Sequence, residues 1–216
     1  MLFHLVKKDL LLTKKYLLFM MIFAFVAPFI ISAKLGLSND GFVSLLITVL
    51  FTEYILFNSV SMLEDKSKGA ALLSTTPYKR DGVIKAKYLL VLIIFLGCLI
   101  LYALATYLGI WVDLQKLSIA QIGTIMLILS VFFGILIPVQ VKFGYEKTKF
   151  IGFLIVFLTP FVMPHIIKWM ENSNIRFDGI VLVSQHILAW IPIIISFIIS
   201  YISMKISINI YANKDL

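Results

Sequence analysis

Charge is the scarcest property of this 216-residue chain: only 14% of it is Asp, Glu, Lys or Arg. A soluble domain carries roughly 25%. Apolar residues reach 61%, and the mean hydropathy is +1.03. That composition leaves too little polar surface to cover a soluble core, so most of the chain must meet lipid. The fold class it implies is an all-α, polytopic membrane protein.

Other chemistry is missing too. There is one cysteine, Cys98, inside an apolar run. No intrachain disulfide and no Cys-based metal site can form, and Cys98 reads as a small buried filler. No G-x-x-x-x-G-K-[ST] stretch exists to cradle nucleotide phosphates. H-E-x-x-H and G-x-S-x-G are absent, and no nucleophile–base–orienter set is visible. Enzyme chemistry is therefore a weak reading, and no cofactor is expected on this chain. His165, Gln185 and His186 fall near the ends of two apolar runs. They are too few to make the three or four convergent ligands a metal needs. The opening "MLFHLVKKDLLLTKKY" is broken by Lys7, Lys8, Asp9, Lys14 and Lys15, so it lacks the clean apolar core of a cleavable signal.

What the chain does have is six apolar runs of spanning length: 16–33, 42–63, 88–109, 118–140, 150–168 and 181–205. Between them the basic residues are unevenly shared. Fifteen Lys and Arg fall in 1–15, 64–87, 141–149 and the C-terminal end, against four (Lys34, Lys116, Lys168 and Arg176) in the alternate segments. The positive-inside rule puts both termini and the two basic loops in the cytoplasm of a multi-pass cell-membrane protein. The net charge of +8 thus reports orientation rather than nucleic-acid binding.

Within residues 1–15, His4, Lys7, Lys8, Lys14 and Lys15 share one arc at 100° per residue, with Leu2, Leu5, Val6, Leu10 and Leu12 opposite and Asp9 as the exception. The pattern predicts a basic amphipathic helix lying on membrane lipid at the inner interface. In the fifth run, Pro160 and Pro164 each remove a helix hydrogen bond. That predicts a kink or a break near the outer end, with 161–172 as a short re-entrant or interfacial piece inside an extracellular segment 161–180. One acid, Glu53, lies deep in the second run. A carboxylate near the bilayer midplane costs several kcal/mol unless paired, protonated or facing water. It either lines a polar cavity or meets a cationic substrate, or else it makes a structural hydrogen bond to a neighbouring helix or sits protonated at a helix–helix seam.

The longest polar interruption, 64–87, holds an apolar patch, Ala70 to Leu73, between charged flanks. Pro77 ends that patch, and Asp81 can cap the next helix. The loop therefore encodes a short helix under the membrane: Ala71, Leu72, Leu73, Ser74, Thr75, Thr76 and Pro77, followed by Tyr78, Lys79 and Arg80. A second basic stretch, 141–149, contains Lys142, Phe143, Gly144, Glu146 and Lys147.

The first loop's Glu64, Asp65, Lys66, Leu72, Leu73, Ser74, Pro77, Arg80, Lys87 and Tyr88 resemble the loop between spans 2 and 3 in permeases of the type-2 class of ABC exporters. Pro138, Lys142, Phe143, Gly144, Glu146, Lys147 and Lys149 are similar to that family's loop between spans 4 and 5. The resemblance implies six helices per subunit, an N-terminal elbow helix and a homodimer of permeases. It also implies two copies of a separate ATP-binding subunit, which hold ATP and Mg²⁺ and dock on a coupling helix in the first loop. Peptide export is the activity implied. An intramembrane enzyme, and a channel or immunity protein that needs no ATPase, remain alternatives.

Overall fold

The computed structural model describes residues 2–35, 40–66, 80–108, 116–172 and 185–213; within them, the side chains of 34–35, 40, 80, 163–164, 166–172 and 185–188 are not described. The described residues form seven helices and no strand: α1 (Leu2–Leu12), α2 (Lys14–Leu35), α3 (Asp40–Lys66), α4 (Arg80–Leu108), α5 (Ile119–Phe143), α6 (Tyr145–Asn172) and α7 (Gln185–Ala212). Apart from the N-cap Ser118, the described residues of all six apolar runs lie in helices. Five helices, α2, α3, α4, α5 and α7, are long and apolar enough among the described residues to cross a membrane. The run 150–168 lies in α6, which is not among those five.

Most of α3 is buried, whereas the other four candidate spans bury a third or less of their length. It touches α1, α2, α4, α5 and α6. The exposed faces of α2, α6 and α7 carry long rows of Leu, Ile and Phe, such as Leu18, Phe19 and Ile22, or Phe153, Phe157 and Phe161. Rows of that kind are at home against lipid tails, not water.

Local sequence explains the helix ends. Ser118 begins α5 with a capping box: its Oγ accepts from Gln121 N at 3.2 Å, and Gln121 Oε1 accepts from Ser118 N at 2.9 Å. Gly144 alone separates α5 from α6, at φ 85°, a backbone conformation that glycine adopts without penalty. The basic stretch 141–149 is therefore mostly helix rather than an open loop. Asp81 sits inside the first turn of α4, one residue past its start at Arg80, so it is not the cap. It favours the helix through the positive N-terminal end of the dipole instead.

Two sequence expectations change. α6 runs without interruption through Pro160 and Pro164 to Asn172, so the break predicted at 161–172 is absent. Each proline deletes one ladder bond, and the remaining bonds of the turn hold the helix; Thr159, beside Pro160, adds a side-chain bond to Ile155 O at 3.0 Å. Residues 173–180 of the expected outer segment lie outside the described residues. In α1, Leu5 and Val6 are buried against the other helices, Leu2 and Leu12 of the same arc are exposed, and Asp9 is buried. The helix is turned so that the one acid in its apolar arc faces α3 and α4.

The α5–α7 seam is parallel and tight. Gly123 faces Pro192 and Ile193, Ser130 Oγ accepts from Ser200 Oγ at 3.2 Å, and Gly134 O accepts from Ser203 Oγ. Small residues let the backbones approach, and hydroxyls bond across the gap. Tyr54 OH on α3 donates to Lys149 O on α6 at 2.7 Å, and its ring lies over Gly152.

A Cβ at Gly152 would come within 2.7 Å of the Tyr54 ring and 3.1 Å of Leu136, whereas one at Gly97 meets nothing within 4 Å. Gly152→Ala should lower stability by about 1–3 kcal/mol. Gly97→Ala should leave it unchanged or raise it by up to about 1 kcal/mol through helix propensity. Thermal melts of the purified protein in one detergent measure both; equal effects would refute the close α3–α6 approach.

Candidate functional site

Two groups of charged residues are withdrawn from solvent, and both hang from α3. The first lies at the end of α3 that precedes residues 67–79. Glu64 Oε1 accepts from Lys8 Nζ of α1 at 3.1 Å, and Glu64 Oε2 pairs with Lys87 Nζ of α4 at 3.0 Å. Lys8 Nζ also lies 2.9 Å from Asp9 Oδ1, an ion pair without hydrogen-bond alignment. The two cations and two anions sum to zero, which is what lets four charges share one partly buried site.

The electrostatics follow from the geometry. Burial alone lowers the Lys8 ammonium, but the Glu64 and Asp9 carboxylates outweigh it and hold its pKa above the usual lysine value. Burial, reinforced by the Glu64 charge, raises the Asp9 carboxyl above the ordinary aspartate value; Lys8 opposes this without cancelling it. Glu64 stands just before, and Lys87 just after, the loop whose coupling role was expected. The pair thus clamps α3 to α4 beside that loop, and Lys8 ties α1 to the clamp.

The second group is a single carboxylate. Glu53 stands midway along α3, is 0% exposed, and neither of its oxygens has a hydrogen-bond partner among the described residues. It borders a half-open cavity of about 350 Å³ lined mainly by α4, α5 and α7. Phe95, Met126, Leu129, Phe133 and Phe197 form apolar walls, while Ser130 and Ser200 supply hydroxyls. Lys85 and Leu2, both exposed, lie at its other end. The Lys85-to-Phe95 stretch of α4 makes the cavity roughly 15 Å long at 1.5 Å per residue. The sequence reading placed Glu53 against a polar cavity or a helix seam. The structure puts it at a cavity, and the walls are mostly apolar.

Of the remaining expected residues, Ala71 to Lys79 lie outside the described residues, and Arg80 opens α4 with its side chain undescribed. Lys142, Phe143, Gly144, Glu146 and Lys147 gather at the α5–α6 turn. Lys142, Phe143, Glu146 and Lys147 are exposed there. Lys149 pairs with Glu146, and its Nζ lies 5.5 Å from the Phe150 ring centre. Cys98 is free and buried. Sequence reasoning missed the Lys8–Glu64–Lys87 cluster, although Glu64 and Lys87 both stood in the loop stretch that carried the family resemblance. The signal was an acid and a base placed symmetrically about the loop.

Lys87→Met leaves Glu64 with the half-exposed Lys8 alone. It should destabilise by up to about 3 kcal/mol, and adding Glu64→Met should recover part of that loss. Melting curves of the two single variants and the double variant form the cycle. Additive losses would show that the 3.0 Å pair carries no coupling.

A family model described as ABC-2 family transporter protein matches residues 4–212. No curated protein and no solved structure matches the chain.

Proposed function

The chain belongs to the ABC-2 family of transporter proteins, and from that premise we propose that it is the membrane-spanning permease of an ATP-driven exporter. In this reading α2 to α7 make six spans, both termini face the cytoplasm of a bacterial cell, and α1 is the interfacial elbow. The observation that carries the proposal is the family match, which runs over residues 4–212 and so takes in both basic loop stretches.

The rest follows from mechanics. A separate ATP-binding subunit, in two copies, binds ATP and Mg²⁺; a second copy of this permease completes a homodimer. ATP closes the partner dimer and pushes on residues 71–80. The push reaches α3 and α4 together, because Glu64 and Lys87 pair across the two sides of that segment. Tilting both helices at once shifts the balance between inward- and outward-facing states. The turn at Lys142, Phe143, Gly144, Glu146 and Lys147 is a second contact for the partner. The cargo in this proposal is an amphipathic, antimicrobial or cytolytic peptide. That is the class handled by the phenol-soluble modulin exporter, whose permease this chain resembles; the two loop stretches are shared with permeases of bacitracin and lantibiotic resistance and do not themselves select the cargo.

Leu73→Asp places a charge in the apolar patch that docks on the partner. It should weaken docking by about 2 kcal/mol, roughly thirty-fold, and abolish ATP-dependent export. Co-purification with the ATP-binding subunit and peptide efflux from cells read the two effects. Normal efflux by this variant refutes the coupling role. Efflux or protection that persists without any ATP-binding subunit favours a channel or immunity protein instead.

A further inference from the structure

We propose that the cavity between α4, α5 and α7 is a binding site for a cationic amphiphile, with an ammonium or guanidinium group on Glu53 and the apolar body against the walls. The observation behind it is a mismatch. Every other described carboxylate near the α3 core has a cation within reach: Asp9 has Lys8, and Glu64 has Lys8 and Lys87. Glu53 is more deeply buried than either and has no partner among the described residues. The cost of an isolated buried charge is several kcal/mol. A helix with this many polar residues could have met it from within. Ser44, Thr48 and Ser59 of α3 each bond a backbone carbonyl of their own helix. Those hydroxyls spend their protons on carbonyls, so none donates to the Glu53 carboxylate, which stands beside a half-open cavity.

The space selects the rest of the ligand. Phe95, Phe133 and Phe197 line it with aromatic rings, a residue type that packs well against hydrocarbon. A plain acyl chain would fill such walls but leave the carboxylate as it is. A soluble cation would satisfy the carboxylate but gain nothing from the walls. Only a molecule with both parts matches both features. Lys85 at the far end is exposed, so water and salt screen its charge. In this conformation no water-sized sphere touches Glu53. A change of Glu53 rotamer toward the cavity is therefore part of binding.

The proposal names a ligand class for the exporter reading, but the binding step itself needs no ATPase, and the test uses the permease alone. The full chain in nanodiscs of zwitterionic lipid is titrated with dansylcadaverine, a fluorescent aryl alkylamine, and with its N-acetyl derivative, which keeps the apolar part and loses the charge. The expected result is that the amine binds about ten-fold or more tightly than the amide, a difference of about 1.4 kcal/mol. Glu53→Gln should erase that preference while leaving the melting temperature unchanged or higher. Met126→Trp, which fills the cavity and keeps the carboxylate, should abolish binding of both. Equal affinity for amine and amide in the unaltered protein overturns the proposal, as does a preference that survives in Glu53→Gln. Because no partner subunit is present, loss of the preference leaves the exporter reading untouched, and loss of ATP-dependent efflux leaves the binding site untouched.

Discussion

Everything in this bundle is arranged around the need to keep charges on α3 neutral. The helix is enclosed by five others, so water cannot solvate what it carries. Near its second end the solution is pairing: Glu64 draws Lys8 from α1 and Lys87 from α4, and so two neighbouring helices are fastened to it. The small hydroxyls along α3 turn back to its own carbonyls. Tyr54 reaches across to the first turns of α6, and Ser61 Oγ donates to Gln140 Oε1 on α5 at 3.1 Å. The packing of the remaining helices follows from these fixtures.

The helices themselves were legible from hydropathy alone. Lipid removes the alternatives: a backbone in hydrocarbon must bond to itself, so a long apolar run is a helix whatever its neighbours do. The prolines misled: Pro160 and Pro164 each delete a single ladder bond, and α6 nevertheless continues to Asn172. The rotation of α1 was not legible. Leu2 and Leu12 fit the apolar arc as well as Leu5 and Val6 did, and nothing in the 100° pattern shows that Asp9 would be buried beside Lys8. Long-range charge pairing has no period along the chain. Lys8, Glu64 and Lys87 are separated by dozens of residues and meet only once the helices have packed.

Glu53 shows the opposite balance. Its depth was readable, since one acid in an apolar run has no surface to reach. Its surroundings were not, because a cavity is what three helices fail to fill. Met126, Leu129 and Phe133 on α5 look from sequence like any core face. The functional conclusion therefore divides by distance. The loop stretches carry the family likeness, whereas the cavity beside Glu53 carries no motif that the sequence marks.

The seam between α5 and α7 has a mechanical consequence. It is tied near Gly123, again at Ser130 and again at Gly134, along a parallel pair of helices. Two rods joined at three levels resist bending and sliding against each other, and move as one plank. The cavity lies between that plank and α4, and α4 is fastened to it by Tyr88, whose hydroxyl lies 2.6 Å from Ser203 Oγ and 3.0 Å from Ser207 Oγ. Those bonds sit at the Lys85 end of the cavity, while beyond Phe95 the residues Cys98, Tyr102 and Ala105 of α4 are buried in the core, so α4 is held on both sides of the space.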